Sequence, residues 1–508
     1  MFAARPRVLA SLRTAALFGI DACTVHVEVD VSFGLPLFNL VGLPDASVRE
    51  SRDRVKSAIR NSGFEFPSHR VTVNLAPADV RKAGSAFDLP IALGILAAQG
   101  AVERREIDDV VVLGELSLDG SIHAARGVLP IAAAARRDGV PGVLLPRSNA
   151  SEAAVVEGLN VLPVSSLAEA FAALNHPAPE VIVPPARSPA PRDAPDLADV
   201  RGQMLARRAL EIACAGGHNL LLAGPPGAGK TMMARRVPGI LPPLTFDEAL
   251  EVTSVHSVAG LLPAGAGLVT ERPFRAPHHT ISNAALVGGG PQPRPGEVSL
   301  AHHGVLFLDE MPEFSRHVLE VLRQPLEEGR VAIARAARTA IFPARFVLVG
   351  AMNPCPCGFA GDAVRECRCT PQQVARYQGR LSGPLRDRFD LMVDVPAVPA
   401  DVLGDSAAGE PSAAVRARVV DARARQQIRY GGTGVRANAS LSPALLARHC
   451  RLDHTGLRLL RAAVEKLALS ARGYDRIRKV ARTIADLAGV DAIESDHIAE
   501  ALQFRTTT

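Results

Sequence analysis

The sequence predicts an α/β protein whose final region is helical, and three observations support this prediction. Residues 1–172 mix alternating strands such as CTVHVEVDV with helical stretches such as VRESRDRVKSAIRNSG. A second region of strands and helices begins near Val200 and contains continuous apolar runs, as buried strands do. From residue 397 onward, apolar residues recur at helical spacing.

The length of 508 residues is too great for one ordinary core, so we expect two to four domains. The segment NHPAPEVIVPPARSPAPRDAPDL carries seven prolines, which neither a packed helix nor a central strand tolerates. We therefore predict a first domain at 1–172, an exposed linker at 173–197, a second domain at 198–396 and a helical domain at 397–508.

The composition limits the class of protein. It is 47% hydrophobic and 21% charged, and no apolar run is long enough to cross a membrane, so we expect a cytoplasmic protein without a membrane partner. The net charge of +5 permits a polyanionic partner without requiring one. In a reducing compartment, cysteines are expected as metal ligands or buried apolar residues rather than as disulfides.

The clearest motif is a phosphate-binding loop. The apolar run NLLLA leads into Gly-x-x-x-x-Gly-Lys-Thr and then into a helix, which is the context that a P-loop requires. Backbone N–H groups of such a loop surround the phosphates, Lys230 reaches the β and γ oxygens, and the Thr231 hydroxyl holds Mg²⁺. A chance glycine-rich turn would not explain the flanking strand and helix. The predicted nucleotide-binding residues are Gly224, Pro225, Pro226, Gly227, Ala228, Gly229, Lys230 and Thr231.

A pair of carboxylates follows the next strongly apolar run, GVLFLDE. Asp309 is predicted to act on the Mg²⁺ shell, and Glu310 is predicted to polarise the attacking water. Paired carboxylates at a strand end are often only solvated, so this interpretation depends on the P-loop that precedes them.

Longer segments resemble the magnesium-chelatase-like AAA+ ATPases. The segments that carry this resemblance are RPFRAPHHTISNAALVGGGPQPRPGEVSLAHHGVLFLDE, VGAMNPCPCG, SGPLRDRFDL and ARTIADLAG. The N-terminal segments GLPLFNLVGLPDASVRESRDRVKSAIRNSGFEFP and VTVNLAPADVRKAGSAFDLPIALGIL narrow it to a branch of bacterial competence proteins. The resemblance covers nearly the whole chain. It implies an α/β fold with a Lon-protease-like N-terminal domain, a central AAA+ P-loop domain with a parallel sheet, and a small helical lid.

The resemblance also implies a function. Members of this branch form hexameric rings that hydrolyse ATP with Mg²⁺ and move along single-stranded or branched DNA. They are implied to act as helicases in branch migration, during the homologous recombination of natural transformation. Three rival functions are an ATPase that remodels a protein partner, the ATPase subunit of a true magnesium chelatase, and a Lon-type peptidase.

Two polar residues of the central domain take roles from this resemblance. Asn353 follows the apolar strand ARFVLVGAM, where AAA+ proteins place an asparagine (sensor 1) against the γ-phosphate or the water. The alternative is an asparagine that only caps a loop. Arg388, in SGPLRDRFDL, is predicted to be an arginine finger that projects into a neighbouring subunit's nucleotide site. Arg386 is the rival finger, and a surface salt bridge is the alternative for both.

The helical domain offers a further arginine for the nucleotide. Arg472, in LSARGYDRIRKVARTIADL, is the candidate for the second sensor residue of the family. Arg476 and Arg478 lie close enough in the sequence to be alternatives.

The peptidase hypothesis requires a serine nucleophile and a lysine base. Ser85 stands where the Lon pattern places the serine, but Leu129 stands where the lysine belongs. Between Lys82 and Lys230 the sequence has no lysine. We therefore expect the N-terminal domain to be a non-catalytic scaffold that contacts DNA or helps to assemble the ring.

A DNA contact is predicted between the two central motifs. The segment GRVAIARAARTAIFPARF reads as two short strands around a tip near Ala336 and Ala337. In the resembling family this hairpin faces the pore. Arg335 and Arg338 would meet the phosphate backbone there, a contact that does not depend on base sequence. The alternative is a solvated hairpin with incidental arginines.

Two groups of residues have the chemistry of metal ligands. Four cysteines follow Asn353 as two Cys-x-Cys pairs, and they can surround one tetrahedral Zn²⁺ in a closed, structural site. A thiol switch or unligated cysteines are the alternatives. The four are Cys355, Cys357, Cys367 and Cys369. The adjacent pair His302 and His303 precedes a buried strand, so a structural role is favoured over metal binding.

Overall fold

The computed structural model confirms the α/β fold class, with two large sheets and a C-terminal group of helices. Within the described residues, no helix is both long and apolar enough to span a bilayer. The structure describes residues 9–102, 109–176, 182, 195–290, 293–334, 339–362, 365–398, 409–467 and 469–505.

The first large sheet has seven strands in the order β3-β4-β2-β1-β5-β8-β9. The strands of this region are β1 (Ala10–Phe18), β2 (Asp21–Ser32), β3 (Leu37–Val41), β4 (Arg70–Ala76), β5 (Val110–Val112), β6 (Glu115–Leu116), β7 (Ile122–His123), β8 (Gly142–Pro146) and β9 (Asn160–Val164). Its helices are α1 (Ala46–Asn61), α2 (Asp88–Ala98), α3 (Val128–Arg137), α4 (Ala150–Ala153) and α5 (Leu167–Asn175). Strand β2 is antiparallel to both of its neighbours, β1 and β4, and the remaining pairs of the sheet are parallel.

Helix α2 is buried on all sides because its sequence, DLPIALGILAA, is apolar on every face. It lies so close to the sheet that a Cβ built at Gly94 would be 2.7 Å from Val29 Cγ2 of β2. Val25, Val27 and Val29 of β2 are fully buried, since alternate residues of a strand share a face.

The second large sheet has five parallel strands in the order β11-β14-β17-β10-β18. The strands of this region are β10 (Leu220–Ala223), β11 (Phe274–Arg275), β12 (Gly288–Gly289), β13 (Arg294–Pro295), β14 (Val305–Leu308), β15 (Arg330–Ala334), β16 (Thr339–Pro343), β17 (Val347–Met352) and β18 (Leu391–Asp394). Its helices are α6 (Met204–Gly216), α7 (Lys230–Ala234), α8 (Val237–Ile240), α9 (Phe246–Ala259), α10 (Asn283–Val287), α11 (Glu297–Leu300), α12 (Arg316–Val321), α13 (Arg323–Glu328), α14 (Pro371–Gln378) and α15 (Gly383–Arg386). Because all five strands run the same way, the loops that follow them meet at one edge.

The C-terminal helices pack against α6 of the second region. They are α16 (Ser412–Tyr430), α17 (Pro443–His449), α18 (His454–Lys466), α19 (Ala471–Leu487) and α20 (Ser495–Gln503). Ile477, Val480, Ala481 and Ile484 of α19 recur every three or four residues and are buried in a core that includes Cys214 of α6.

The predicted domain boundaries remain predictions. Helix α5 continues past residue 172 to Asn175, and most of the proline-rich segment lies outside the described residues. The first region docks on the second through α9: the Ser257 hydroxyl donates to the buried carboxylate of Glu152, and Gly127 N donates to Ser257 O at 3.2 Å.

Candidate nucleotide-binding site

The P-loop joins β10 to α7, and its glycines are required by close approach and backbone conformation. A Cβ at Gly224 would lie 2.1 Å from Val395 O, so no larger residue fits there. Gly227 and Gly229 have φ values of +80° and +89°, which glycine adopts at the least cost. No atom of the described residues lies within 4 Å of a Cβ built at Gly227, so those residues leave this side of the loop accessible.

Lys230 lies at the centre of the loop. Its Nζ donates to Gly224 O at 2.6 Å, to Pro225 O at 2.9 Å and to Asn353 Oδ1 at 3.2 Å. Burial lowers the pKa of this ammonium, while the nearby carboxylates of Asp309 and Glu310 act in the opposite direction. The structure therefore brings the lysine predicted to bind phosphate into contact with the asparagine predicted for sensor 1.

Thr231 and Asp309 also meet, although they are far apart in the sequence. Thr231 Oγ1 donates to Asp309 Oδ2 at 2.6 Å. Strand β17 separates β14 from β10 in the sheet, and the side chains that follow β14 and β10 face each other across its end. A hydroxyl and a carboxylate oxygen at this separation are the ligand types that Mg²⁺ prefers.

Glu310 has an unusual backbone conformation. Its φ is +49°, in the left-handed region that non-glycine residues rarely adopt, and its side chain is exposed. Glu310 N donates to Asp309 Oδ1 at 2.9 Å, which holds the two carboxylates in a compact turn. Strain of this kind concentrates at functional sites.

Asn353 is supported from α14. The Tyr377 hydroxyl is hydrogen-bonded to the Asn353 backbone, and burial raises the pKa of Tyr377 to about 12, so the phenol stays protonated. Gln378 Nε2 donates to Pro354 O at 3.1 Å. Two consecutive residues of α14 therefore hold the loop that carries the asparagine.

A cleft beside the P-loop was not predicted from the sequence. Gln203 Nε2 donates to Pro396 O at 2.6 Å and to Ala228 O at 3.4 Å, and its φ is +51°. The cleft measures about 530 Å³ and its wall includes Met204, whose side chain is 76% exposed. Its lining is Gly202, Gln203, Met204, Leu205, Asp394, Pro396, Ala397 and Val398. The Arg-Gly-Gln segment before α6 was the available signal, because a glycine before a helix often marks a special turn.

The four cysteines form one cluster. Their sulfur atoms lie within 4.8 Å of one another, with Cys355 Sγ at 3.3 Å from Cys357 Sγ and at 3.7 Å from Cys367 Sγ. Thiolates about 2.3 Å from a central Zn²⁺ would be separated by about 3.8 Å, so the cluster is close to that size. Hydrogen bonds from the backbone at Phe359 and Arg368 lower the pKa of Cys357 to about 6.

The predicted arginine finger lies at the amino ends of the parallel strands, whereas the P-loop of the same chain lies at their carboxyl ends. Strand β18 is parallel to β10 with Leu391 beside Leu220, so Arg388 precedes the sheet and the P-loop follows it. The Arg388 side chain is only 6% exposed, and it is ion-paired with Glu327. Its Nε has no hydrogen-bond acceptor among the described residues. The rival, Arg386, is exposed.

The second-sensor candidate lies beside the finger. Arg472 is 64% exposed, and its nearest guanidinium nitrogen is 3.9 Å from the same Glu327 oxygen that Arg388 contacts. The two alternatives are engaged within the chain. Arg476 Nε is 3.1 Å from Asp390 Oδ1, and an Arg478 nitrogen donates to Cys450 O at 2.8 Å.

The hairpin between the central motifs is present. Strands β15 and β16 pair antiparallel from Arg330 opposite Pro343 to Ala334 opposite Thr339. Arg335 and Arg338 lie outside the described residues. A Cβ built at Gly19, in the β1–β2 turn, would be 3.0 Å from Ile341 O, so the first sheet touches the hairpin.

The Lon-type serine is not paired with a lysine. The Ser85 hydroxyl donates to Glu115, a carboxylate, and Leu129 is fully buried in α3. Lys82 is also fully buried, and its ammonium donates to Pro77 O. A serine hydroxyl bound to a carboxylate without a lysine base lacks the dyad of that peptidase class.

His302 and His303 share one carboxylate. Their Nε2 atoms lie 2.8 Å and 2.9 Å from Glu251 Oε2, and the Arg345 backbone N–H donates to His302 Nδ1 at 3.0 Å. Arg436 approaches both His303 and Glu251, at 3.3 Å and 3.4 Å. These residues lie close enough for metal ligands, but the adjacent guanidinium opposes a bound cation. The arrangement is that of a structural network joining the central and C-terminal regions.

Three family models match the chain. "Subunit ChlI of Mg-chelatase" matches residues 27–149, "Magnesium chelatase, subunit ChlI" matches 196–403, and "Magnesium chelatase, subunit ChlI C-terminal" matches 409–505. Competence protein ComM of Haemophilus influenzae is 45% identical over 504 residues, which covers 98% of this chain and 97% of that protein. Protein YifB of Escherichia coli is 43% identical over 505 residues, with the same coverage. The magnesium-chelatase 38 kDa subunit of Rhodobacter capsulatus is 25% identical over 297 residues, which is 52% of this chain and 78% of that subunit.

Proposed function

Because this chain belongs to the magnesium-chelatase-like AAA+ ATPase family that includes ComM and YifB, we propose that it is an ATP-driven DNA motor. It acts in the cytoplasm as a helicase on single-stranded or branched DNA, in branch migration during the homologous recombination of natural transformation. One observation carries the ATPase part of this proposal. The contacts of Lys230 with Asn353 and of Thr231 with Asp309 bring three separate strand ends to one edge of the sheet.

The chemistry follows from these positions. Lys230 exchanges its backbone carbonyl partners for phosphate oxygens when ATP enters the loop. Thr231 and Asp309 would hold Mg²⁺, and the ion would supply positive charge that neutralises the phosphates. Glu310 orients the attacking water, and the Asn353 amide donates to the γ-phosphate or to that water. The cleft beside Gln203 and Met204 receives the adenine base of ATP, because the cleft is mostly apolar and directly adjoins the P-loop.

The site is completed by a neighbouring subunit in a hexameric ring. Strand β18 spans about 13 Å, so Arg388 at its amino end cannot reach the P-loop of its own chain. A heterologous interface places that edge of one subunit against the P-loop edge of the next, and a closed ring repeats the contact. Arg388 and Arg472 then act together on the neighbour's phosphates, after Glu327 releases them.

The DNA contact is assigned to the β15–β16 hairpin. Arg335 and Arg338 belong to its tip by sequence, and paired arginines there suit a contact with phosphates that is independent of base sequence. The net charge of +5 is compatible with a polyanionic partner.

The cysteine cluster is proposed as a structural Zn²⁺ site. Cys355, Cys357, Cys367 and Cys369 supply four thiol ligands at nearly tetrahedral separations. Bound Zn²⁺ would cross-link the loop after Asn353 and leave no open coordination position for catalysis.

The chain is proposed to divide at the predicted boundaries into a first domain, the linker 173–197, the ATPase core 198–396 and the lid 397–508. The first domain is assigned a scaffolding role, since Ser85 bonds to Glu115 and Leu129 replaces the lysine. Its contacts with α9 and with the hairpin suit a part that supports the motor.

Steady-state ATP hydrolysis tests the proposal. The rate is measured without DNA, with single strands and with a branched junction, and Lys230→Ala serves as the inactive control. We expect a higher rate with DNA than without it. A rate that does not respond to DNA, together with intact basal hydrolysis, would overturn the DNA motor and leave an ATPase.

One feature favours the second candidate, an ATPase that remodels a protein partner. Phe33 and Leu35, between β2 and β3, are 89% and 88% exposed, and Leu43 is also exposed. Large apolar side chains that are strongly exposed are typical of protein contacts. The magnesium-chelatase subunit is less well supported as a guide to function, because that relative matches only 52% of the chain.

A further inference from the structure

The cysteine loop lies directly against the P-loop of the same chain. Gly358 has a φ of +88°, and a Cβ built on it would be 2.5 Å from Pro226 Cδ and 2.7 Å from Pro226 Cγ. The Gly358 backbone therefore packs on the proline ring at van der Waals distance, and no side chain fits between them. Pro226 lies within the predicted phosphate-binding turn.

The position of Gly358 depends on the sulfur cluster. Gly358 N donates to Cys355 O at 3.0 Å, and Ala360 N donates to Cys355 Sγ at 3.3 Å. Cys355 is fully buried, and Cys357 directly precedes Gly358. Any ion that links these sulfur atoms therefore also fixes the turn that touches Pro226.

Other described residues hold the P-loop at other points, and one of them is Gln203, whose Nε2 donates to Ala228 O at 3.4 Å. Gly224 packs on Val395 at the start of the loop, and Lys230 anchors its end through backbone carbonyls. Among the described residues, no atom lies within 4 Å of a Cβ built at Gly227, on the side where phosphates would enter. Between these points, Gly358 packs on the Pro226 ring and supports the loop there.

We propose that the four-cysteine loop is a positioning element for the P-loop, so that a thiophilic divalent cation such as Zn²⁺, bound by the cysteines, sets the affinity for nucleotide through the contact of Gly358 with Pro226. The inference rests on the proposed ATPase function. Loss of the ion loosens the turn at Gly358, so Pro226 loses its packing partner. The P-loop then samples conformations that do not bind phosphate. The ion takes no part in hydrolysis itself.

Two glycines of the same loop make a matched test. Gly358 and Gly361 have similar φ values, +88° and +77°, but no atom of the described residues lies within 4 Å of a Cβ at Gly361. Alanine at either position must adopt a positive φ, and among the described residues only Gly358→Ala also collides with a neighbour, Pro226. We expect Gly358→Ala to raise the Kd of a fluorescent ATP analogue by about tenfold, and Gly361→Ala to change it by less than about twofold. Equal effects of the two substitutions would overturn the proposal.

A double-mutant cycle assigns the effect to the contact. Pro226→Ala removes the ring atoms that a Cβ at position 358 would meet. Gly358→Ala should therefore cost much less in the Pro226→Ala background than in the wild type. Thermal unfolding and metal content of each variant show whether it is folded and loaded. An undiminished cost in that background would mean that the effect does not pass through Pro226.

Metal removal gives the second measurement. Zinc content and the Kd for the ATP analogue are measured before and after treatment of the full-length protein with a chelator, with circular dichroism as the folding control. We expect one ion per chain and a Kd about tenfold higher after its removal. A protein that binds no ion, or an unchanged Kd, would overturn the inference. Failure of the wild-type protein to bind the analogue would instead count against the proposed ATPase.

Discussion

The finger assignment makes a quantitative prediction about mixed rings. A ring is assembled from equal amounts of Lys230→Ala and Arg388→Ala subunits, each of which should be inactive alone. Lys230 acts in its own site, because it lies 3.2 Å from Asn353 of the same chain. Arg388 precedes β18 at the far edge of the sheet, so it can act only in a neighbour's site. A site is active when its own chain has Lys230 and the neighbour has Arg388.

Random mixing sets the size of the effect. Half of the sites keep Lys230, and half of those receive Arg388 from the adjoining subunit. If the sites act independently, the mixture should show about a quarter of the wild-type rate, although each variant alone has almost no activity. The assay is steady-state phosphate release at a fixed total protein concentration, after the subunits have been allowed to exchange.

Two controls make the result decisive. A mixture of Lys230→Ala subunits with Glu310→Gln subunits should stay inactive, because each substitution damages the nucleotide site of the subunit that carries it. Rings made only of Arg386→Ala subunits should remain active. Loss of activity in those rings would favour Arg386, rather than Arg388, as the arginine finger. A Lys230→Ala and Arg388→Ala mixture that is no more active than its parts, with subunit exchange demonstrated, would refute the assignment in trans.

Three further results are expected. Glu310→Gln should reduce turnover by at least about a hundredfold while ATP binding persists, because the substitution removes the group that orients the attacking water. Lys230→Ala should lose ATP binding as well as turnover, and measurements of equilibrium binding and phosphate release distinguish the two variants. Joint replacement of Arg335 and Arg338 by Ala should weaken DNA binding and reduce the dependence of log K on log salt, with basal hydrolysis unchanged, and an unaltered salt slope would contradict the hairpin contact. Burial lowers the pKa of His302 from 6.5 to about 4, so between these pH values the unfolded chain binds a proton that the folded chain does not. The free energy of unfolding should therefore fall by about 2 kcal/mol between pH 7.5 and pH 5 from this group, and urea titrations of His302→Gln should show a smaller fall; an equal fall would exclude His302 as the source.

Some of the site could be predicted from short segments of sequence. The glycines around Pro226 lie in one short segment with Lys230 and Thr231, and a strand followed by a glycine turn and a helix has few other conformations. The hairpin of β15 and β16 was predictable for the same reason, since its alternating burial is a local pattern. The cleft beside Gln203 was missed, because half of its lining comes from the last residue of β18 and from residues that follow that strand.

The sequence by itself determined which chemical groups this protein carries and which strands end beside them. It could not determine that Arg388 is buried against Glu327, or that Gly358 packs on Pro226. These contacts join residues that are 61 and more positions apart, so they depend on the order of strands in the sheet rather than on any local preference. Burial pattern and backbone conformation are properties of neighbouring residues, whereas the distance between two strand ends is fixed only when the whole core packs.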